Sequence, residues 1–99
     1  MSGDAGRRAV RLRVQGRVQG VWFRGWTRSE ATRLGLAGWV RNRSDGSVEI
    51  LVIGPPAAVE AMVRACHSGP SHARVDHVII EEAVAEDCDS ADFIQCPTA

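Results

Sequence analysis

The chain contains no lysine and no tyrosine, and all twelve of its basic residues are arginine. Without lysine there is no amine for a Schiff base, no attachment point for pyridoxal phosphate and no P-loop lysine. Any grip on a phosphate must therefore come from arginine and backbone N–H groups. No apolar run approaches the roughly twenty residues that a membrane helix needs. The first eight residues, Met1 to Arg8, carry charges with no apolar stretch behind them, unlike a secretory leader. A cytoplasmic protein is expected. Cysteine is scarce too: Cys66, Cys88 and Cys96 form no C-x-x-C pair, and their odd number argues for reduced thiols in or near the core rather than a disulfide framework. A chain of 99 residues leaves no room for a second core. A flexible arm over residues 1–8 and one domain over 9–97 are expected.

What is present is ordinary globular material, 44% hydrophobic and 24% charged, which excludes a disordered or collagen-like chain. The net charge is zero but unevenly spread. Residues 1–50 carry ten arginines against four acids, a net of +6, and residues 51–99 carry two arginines against eight acids, a net of −6. An anionic ligand would favour the first half, although solvated charged faces account for the same split.

Val10, Leu12 and Val14 alternate with Arg11, Arg13 and Gln15, the period of a half-buried strand, which is expected to end at Gly16. Gly16 to Val21 reads as a loop bracketed by glycines. From about Trp22 to Leu34 the period turns helical, with Phe23, Trp26, Ala31 and Leu34 near one face and Gly35 in the capping position that needs positive φ. Leu36 to Arg43 reads as a strand, Asp45-Gly46 as a hairpin turn and Ser47 to Ile53 as its returning strand. Pro55-Pro56 opens a second helix, on which Val59, Met62, Val63 and Cys66 share a face; Ser68-Gly69-Pro70 closes it. Val75 to Glu82 is a fourth strand, Glu86 to Ser90 an acidic surface loop, and Asp92 to Cys96 a short fifth strand. This order is the α+β, ferredoxin-like βαββαβ sandwich: an antiparallel sheet with both helices on one face.

Two stretches carry the chemistry. In Gly16-Arg17-Val18-Gln19-Gly20-Val21-Trp22-Phe23-Arg24, a two-glycine loop passes from strand to helix. Such a loop can turn successive N–H groups inward as an anion-binding nest, and the helix start adds unpaired N–H groups and partial positive charge. Arg24, in the first helical turn, can fold over the same spot and pair bidentately with phosphate oxygens. Taken as a bare pattern, a tight turn with exposed arginines explains it equally well. In Gly38-Trp39-Val40-Arg41-Asn42-Arg43-Ser44-Asp45-Gly46, Asn42 ends a strand with a carboxamide that both donates and accepts. Turn initiation is the commoner use of such an asparagine.

Together these stretches resemble the acylphosphatase family. Gly16 to Arg24 is similar to its phosphate-loop signature without a gap, Gly38 to Gly46 to its second signature, and the likeness extends over roughly Val10 to Ile94. The resemblance implies hydrolysis of acyl phosphates to a carboxylate and inorganic phosphate. It assigns phosphoryl binding to Arg24 and orientation of the attacking water to Asn42. The loop of Gly16, Arg17, Val18, Gln19, Gly20 and Val21 would cradle the phosphate through its amides. No metal or organic cofactor, no nucleic acid and no membrane partner is implied, and a monomer is expected. The last strand departs from the family pattern: Phe93-Ile94-Gln95-Cys96 stands where an aromatic-x-aliphatic-Arg-Tyr run is usual. That departure is expected to touch the packing of the strand and not the site. Trp22, Gly25 and Trp26 flank the loop at positions that vary in the family, which points to an unusual acyl-group preference.

Other constellations fare worse. His67, His72 and His77 near Cys66 have neither one-face nor zinc-finger spacing. Asp87, Asp89 and Asp92 lack the order of a calcium loop. The strongest rival is an RNA-binding module on the same topology, which stacks bases on sheet aromatics. Here the strands offer chiefly Trp39 and Phe93. A second rival is a regulatory domain that binds a phosphorylated metabolite without turnover; the retention of both Arg24 and Asn42 argues against it.

Overall fold

A computed structural model of the chain describes residues 7–84 and 92–98. Seven elements follow one another: β1 (Arg8–Arg17), α1 (Phe23–Arg33), β2 (Ala37–Asn42), β3 (Val48–Gly54), α2 (Pro56–Ser68), β4 (Arg74–Glu82) and β5 (Phe93–Gln95). The sheet order is β4-β1-β3-β2-β5, so β3, buried along its whole length, is the central strand. On one face Val10, Leu12 and Val14 of β1 meet Val48, Ile50 and Val52 of β3 across an antiparallel register. All six are fully buried. Both helices cover this face with Phe23 and Ala31 from α1 and Val59, Met62 and Cys66 from α2. Each large side chain so buried contributes about 1.5–3 kcal/mol relative to exposure. Leu34 and Trp26 sit at the core's edge, and Gly35, at φ 73°, follows the end of α1. The ferredoxin-like α+β architecture is the observed one.

Three details differ from the sequence expectation. The sheet is mixed, because β5 lies parallel to β2, pairing Gly38 with Phe93 and Val40 with Gln95. The chain has crossed from one sheet edge to the other, where β5 covers the open edge of β2. The strand β1 runs on through Gly16 and Arg17, since β4 follows it around a bulge between Gln15 and Gly16. Gly16 takes φ 131° there, and a Cβ would run into the Arg74 carbonyl oxygen. Finally, β1 begins at Arg8, inside the expected arm, where Arg8 pairs in register with Gly54 and its guanidinium meets Glu82 at 2.8 Å. Residues 1–6 of the arm, the acidic loop Glu86 to Ser90 and Cys88 lie outside the described residues.

The sheet face away from the helices is organised around a carboxylate. Glu49, only 4% exposed, accepts hydrogen bonds from Arg41 Nε at 2.8 Å and Arg43 Nη1 at 3.0 Å, with Arg11 Nε at 3.7 Å. Burial acts to raise its carboxyl pKa, but the hydrogen bonds and charges of Arg41 and Arg43 outweigh it and hold the group below the usual carboxylate range. A lowered folded-state pKa stabilises the fold above the unfolded value and loses that contribution as pH falls through the folded value. Glu49→Gln is therefore expected to cost about 1.5–3 kcal/mol at neutral pH. The gap to the wild type should narrow below pH ~4. Urea unfolding of both proteins at pH 7 and at pH 3 checks this; a pH-independent gap would show that Glu49 acts by shape alone.

Candidate active site

Between β1 and α1 the chain passes through residues 18–22, and the side chains of Val18 and Gln19 fix its path. Val18 is 1% exposed and belongs to the core. The Gln19 carboxamide donates from Nε2 to the carbonyl oxygens of Arg43 and Ser47, both at 2.8 Å. Those carbonyls belong to the turn between β2 and β3, itself closed by Arg43 N–H to Ser47 O at 2.9 Å and by Asp45 accepting from the Ser47 N–H and hydroxyl. These Ser47 hydrogen bonds lower the Asp45 pKa. Gln19 thus ties the loop to the hairpin that ends β2, where Asn42 stands opposite Val48.

The loop turns through two left-handed residues, Gly20 at φ 76° and Trp22 at φ 63°. Trp22 is the N-cap of α1 but gives it no side-chain hydrogen bond, and no acid occupies the first turn. Between described residues no hydrogen bond takes up the amides of Gln19 to Gly25; the first bonded amide is that of Trp26, to the Trp22 carbonyl at 3.0 Å. Unpaired amides and an uncompensated helix start make a locus of positive potential without any metal.

A cavity of about 160 Å³ opens at this point, lined by Val18, Gly20, Trp22, Phe23, Arg24, Gly25, Asn42 and Gln95. The structure thus brings Arg24, Asn42, Gly20 and Val18 of the expected set to one cavity. The other four do not line it. Gly16 sits at the bulge, Arg17 is exposed at the end of β1, Gln19 spends its side chain on the hairpin, and Val21 packs at the edge of the core. Arg24 is half-buried and makes no ion pair with a described residue. Gln95 is the residue that sequence reasoning placed elsewhere. The departure of the last strand touches the site as well as the packing, because the parallel pairing of β5 with β2 carries Gln95 to the cavity wall. Phe93, two residues earlier, is 4% exposed and anchors that strand. A three-residue strand has too little periodicity to reveal its edge or direction.

The remaining candidates do not assemble. His67, His72 and His77 are all exposed, and among the described residues no three His, Cys, Asp or Glu side chains gather as a metal-binding group. Asp87 and Asp89 lie outside the described residues. Cys66 is buried and its thiol pKa is pushed up to about 12 by desolvation, which makes it inert as a nucleophile. Among the described residues no helix is long and apolar enough to cross a membrane.

A family model described as Acylphosphatase matches residues 10–94. A Rhodospirillum rubrum protein named acylphosphatase is 59% identical over 76 residues, which is 77% of this chain and 84% of that one. Among solved structures, an acylphosphatase from Coxiella burnetii superposes with a TM-score of 0.90 at 35% identity, covering 97% of this chain and all of that one. One from Bacillus subtilis gives 0.83 at 39% identity, covering 89% and 97%.

The Gln19 tie carries a test of the site's construction. Gln19→Ala removes two side-chain bonds to carbonyls that each keep one backbone partner. A loss of about 1–2 kcal/mol in unfolding free energy is expected. The hydrogen-bonded amides of Arg43, Gly46 and Ser47, in the turn that Gln19 grips, should also exchange with solvent deuterium faster than in the wild type. Unchanged exchange there would show that the hairpin is held without Gln19.

Proposed function

The chain belongs to the acylphosphatase family and hydrolyses the carboxyl-phosphate bond of acyl phosphates, and from this premise we propose that Arg24 binds the phosphoryl group while Asn42 orients the attacking water. The observation that carries the assignment is the convergence of these two side chains on one cavity at the unpaired start of α1. Amides of the loop between β1 and α1 take the remaining phosphoryl oxygens, and the guanidinium of Arg24 pairs bidentately with the phosphoryl group.

In the reaction the water oxygen forms a new bond to phosphorus as the bond from phosphorus to the acyl oxygen breaks. The electron pair of that bond leaves on the carboxylate, and the water gives up its proton to solvent or product phosphate. Charge spreads over the equatorial phosphoryl oxygens in a loose transition state, so fixed N–H donors and one guanidinium do most of what is needed. The carboxylate is a good leaving group and needs no protonation. Asn42 accepts a hydrogen bond from the water through Oδ1 and places its lone pair in line with the leaving oxygen.

The substrates are small acyl phosphates and the product is inorganic phosphate. The side chains available for base stacking support this reading over a nucleic-acid partner. Arg41 lies over the Trp39 ring at 4.7 Å, and Phe93 is buried. We further infer a monomer in the cytoplasm, a compartment that suits the free thiols of Cys66 and Cys96.

Two measurements test the proposal. Asn42→Ala should lower kcat for benzoyl phosphate by about 10²–10³ and leave inhibition by inorganic phosphate nearly unchanged. Arg24→Gln should weaken that inhibition and lower kcat/KM together. Circular dichroism and thermal melting must accompany both, since Asn42 also pairs in the hairpin. A folded Asn42→Ala variant with wild-type turnover would remove Asn42 from the reaction. Separately, overnight dialysis against EDTA should leave activity intact; loss that a divalent ion restores would overturn the metal-free mechanism.

A further inference from the structure

We propose that this enzyme is selective for acyl phosphates whose acyl chain ends in a second carboxylate, such as succinyl phosphate, and that Arg28 is the residue that reads the distal charge. The inference rests on the reading of Arg24 as the phosphoryl ligand. A second, larger cavity of about 590 Å³ adjoins the first and shares Trp22, Gly25 and Gln95 with it. It runs along the exposed side of α1, where Arg28, Ser29 and Thr32 form its wall.

The junction between the two cavities is built rather than incidental. Trp22 is 68% exposed, an unusual setting for so large an apolar side chain, and its backbone is held in the left-handed region. Its indole lies across Gly25: a Cβ on Gly25 would collide with Trp22 Nε1 and come within 2.6 Å of Cε2. A glycine inside the first turn of a helix costs stability relative to alanine, and here it makes the seat for the ring. The indole thereby stands as a fixed apolar wall where a substrate leaves the phosphoryl site, suited to the methylenes of an acyl chain.

Beyond that wall the chemistry turns cationic. Arg28 follows Arg24 by four residues, so the two guanidinium-bearing positions stack on one side of α1, about 6 Å apart along the axis. Neither makes an ion pair with a described residue, whereas Arg33 at the far end of the cavity is neutralised by Glu30 at 2.8 Å. Two unpaired like charges at this spacing repel, and a molecule that is anionic at both ends relieves that repulsion. With the phosphoryl group on Arg24 and the acyl chain against Trp22, the terminal carboxylate falls to Arg28, with Ser29 and Thr32 as hydroxyl donors beside it. Acetyl phosphate has no group that reaches this far.

The experiment compares kcat/KM for succinyl phosphate and acetyl phosphate. The wild type should prefer succinyl phosphate, and Arg28→Gln should lower the succinyl-to-acetyl ratio by about tenfold, mainly through KM, as expected for losing one partly solvated charge-assisted contact. Arg28→Lys should recover part of the ratio, which loss of shape alone would not allow. Arg28 is exposed on the helix surface, and circular dichroism confirms that each variant is folded. A wild type that hydrolyses both substrates without preference, or a ratio that Arg28→Gln leaves unchanged, overturns the subsite and leaves the assignment of Arg24 and Asn42 standing. A wild type inactive on both would instead overturn the reading on which the subsite rests.

Discussion

The site depends on one constraint: a loop must be held rigid while its own amides stay unbonded. Unpaired N–H groups are costly unless water or a ligand meets them. A chain can keep seven of them together only if other contacts over-determine the backbone. Here three do so. Val18 is sealed in the core, the Gln19 carboxamide grips two carbonyls of the neighbouring hairpin, and Phe23 is locked beneath α1 against Trp26, ring centroids 5.3 Å apart. The left-handed Trp22 lies between the last two of these anchors, and its strain, of order 1–3 kcal/mol, is borne by them. Because two of the anchors are apolar side chains and the third is the Gln19 carboxamide turned to the hairpin, the loop's stability makes no demand on the amides a phosphoryl oxygen would use.

The arginines divide along the same line. Of the ten in the first half of the chain, five meet a carboxylate among the described residues: Arg8 at Glu82, Arg33 at Glu30, and Arg11, Arg41 and Arg43 at Glu49. The cluster on Glu49 lies on the sheet face opposite the helices and serves stability there, so the positive excess of this half is no direct measure of an anion site. What matters for a ligand is which arginines beside a cavity make no ion pair with a described residue, and Arg24 and Arg28 are two such. Lysine in their place would offer a point charge rather than a planar fork suited to phosphate and carboxylate geometry.

Much of this was legible in the sequence, for identifiable reasons. Alternation is clear in β1 because it packs one face on the helices, whereas β3 is buried on both faces, with Leu51 and Ile53 in a second cluster opposite the helices. The Asp-Gly turn follows from local chemistry, and Pro56 marks the start of α2. The pairing of Arg24 with Asn42 came from motif resemblance, since nothing in their spacing of eighteen residues says that a loop and a strand end will meet. What stayed hidden is long-range or backbone-specific. The role of Gln19 depends on two carbonyls more than twenty residues away. The arrival of Gln95 depends on which edge a three-residue strand chooses. The burial of Glu49 depends on Arg11 from β1, Arg41 from β2 and Arg43 from the turn after β2, partners that no local pattern names.

The proposed assignment separates rate from selectivity along the axis of α1. At its N-terminus, charge that develops on phosphoryl oxygens would meet donors fixed before the substrate arrives, which lowers the barrier because nothing must reorganise. One turn further on, in the proposed subsite, Arg28 would meet an acyl group whose terminal charge does not change during the reaction. An interaction of that kind is equally strong in the ground and transition states, so it alters which substrate is bound without altering the chemical step. A change at position 28, or at the Trp22–Gly25 seat, can therefore redirect the enzyme among acyl phosphates while the loop and Asn42 keep their places. On the proposed assignment a change at Arg24 has no such freedom, because its guanidinium would serve the phosphoryl group in the ground and transition states alike.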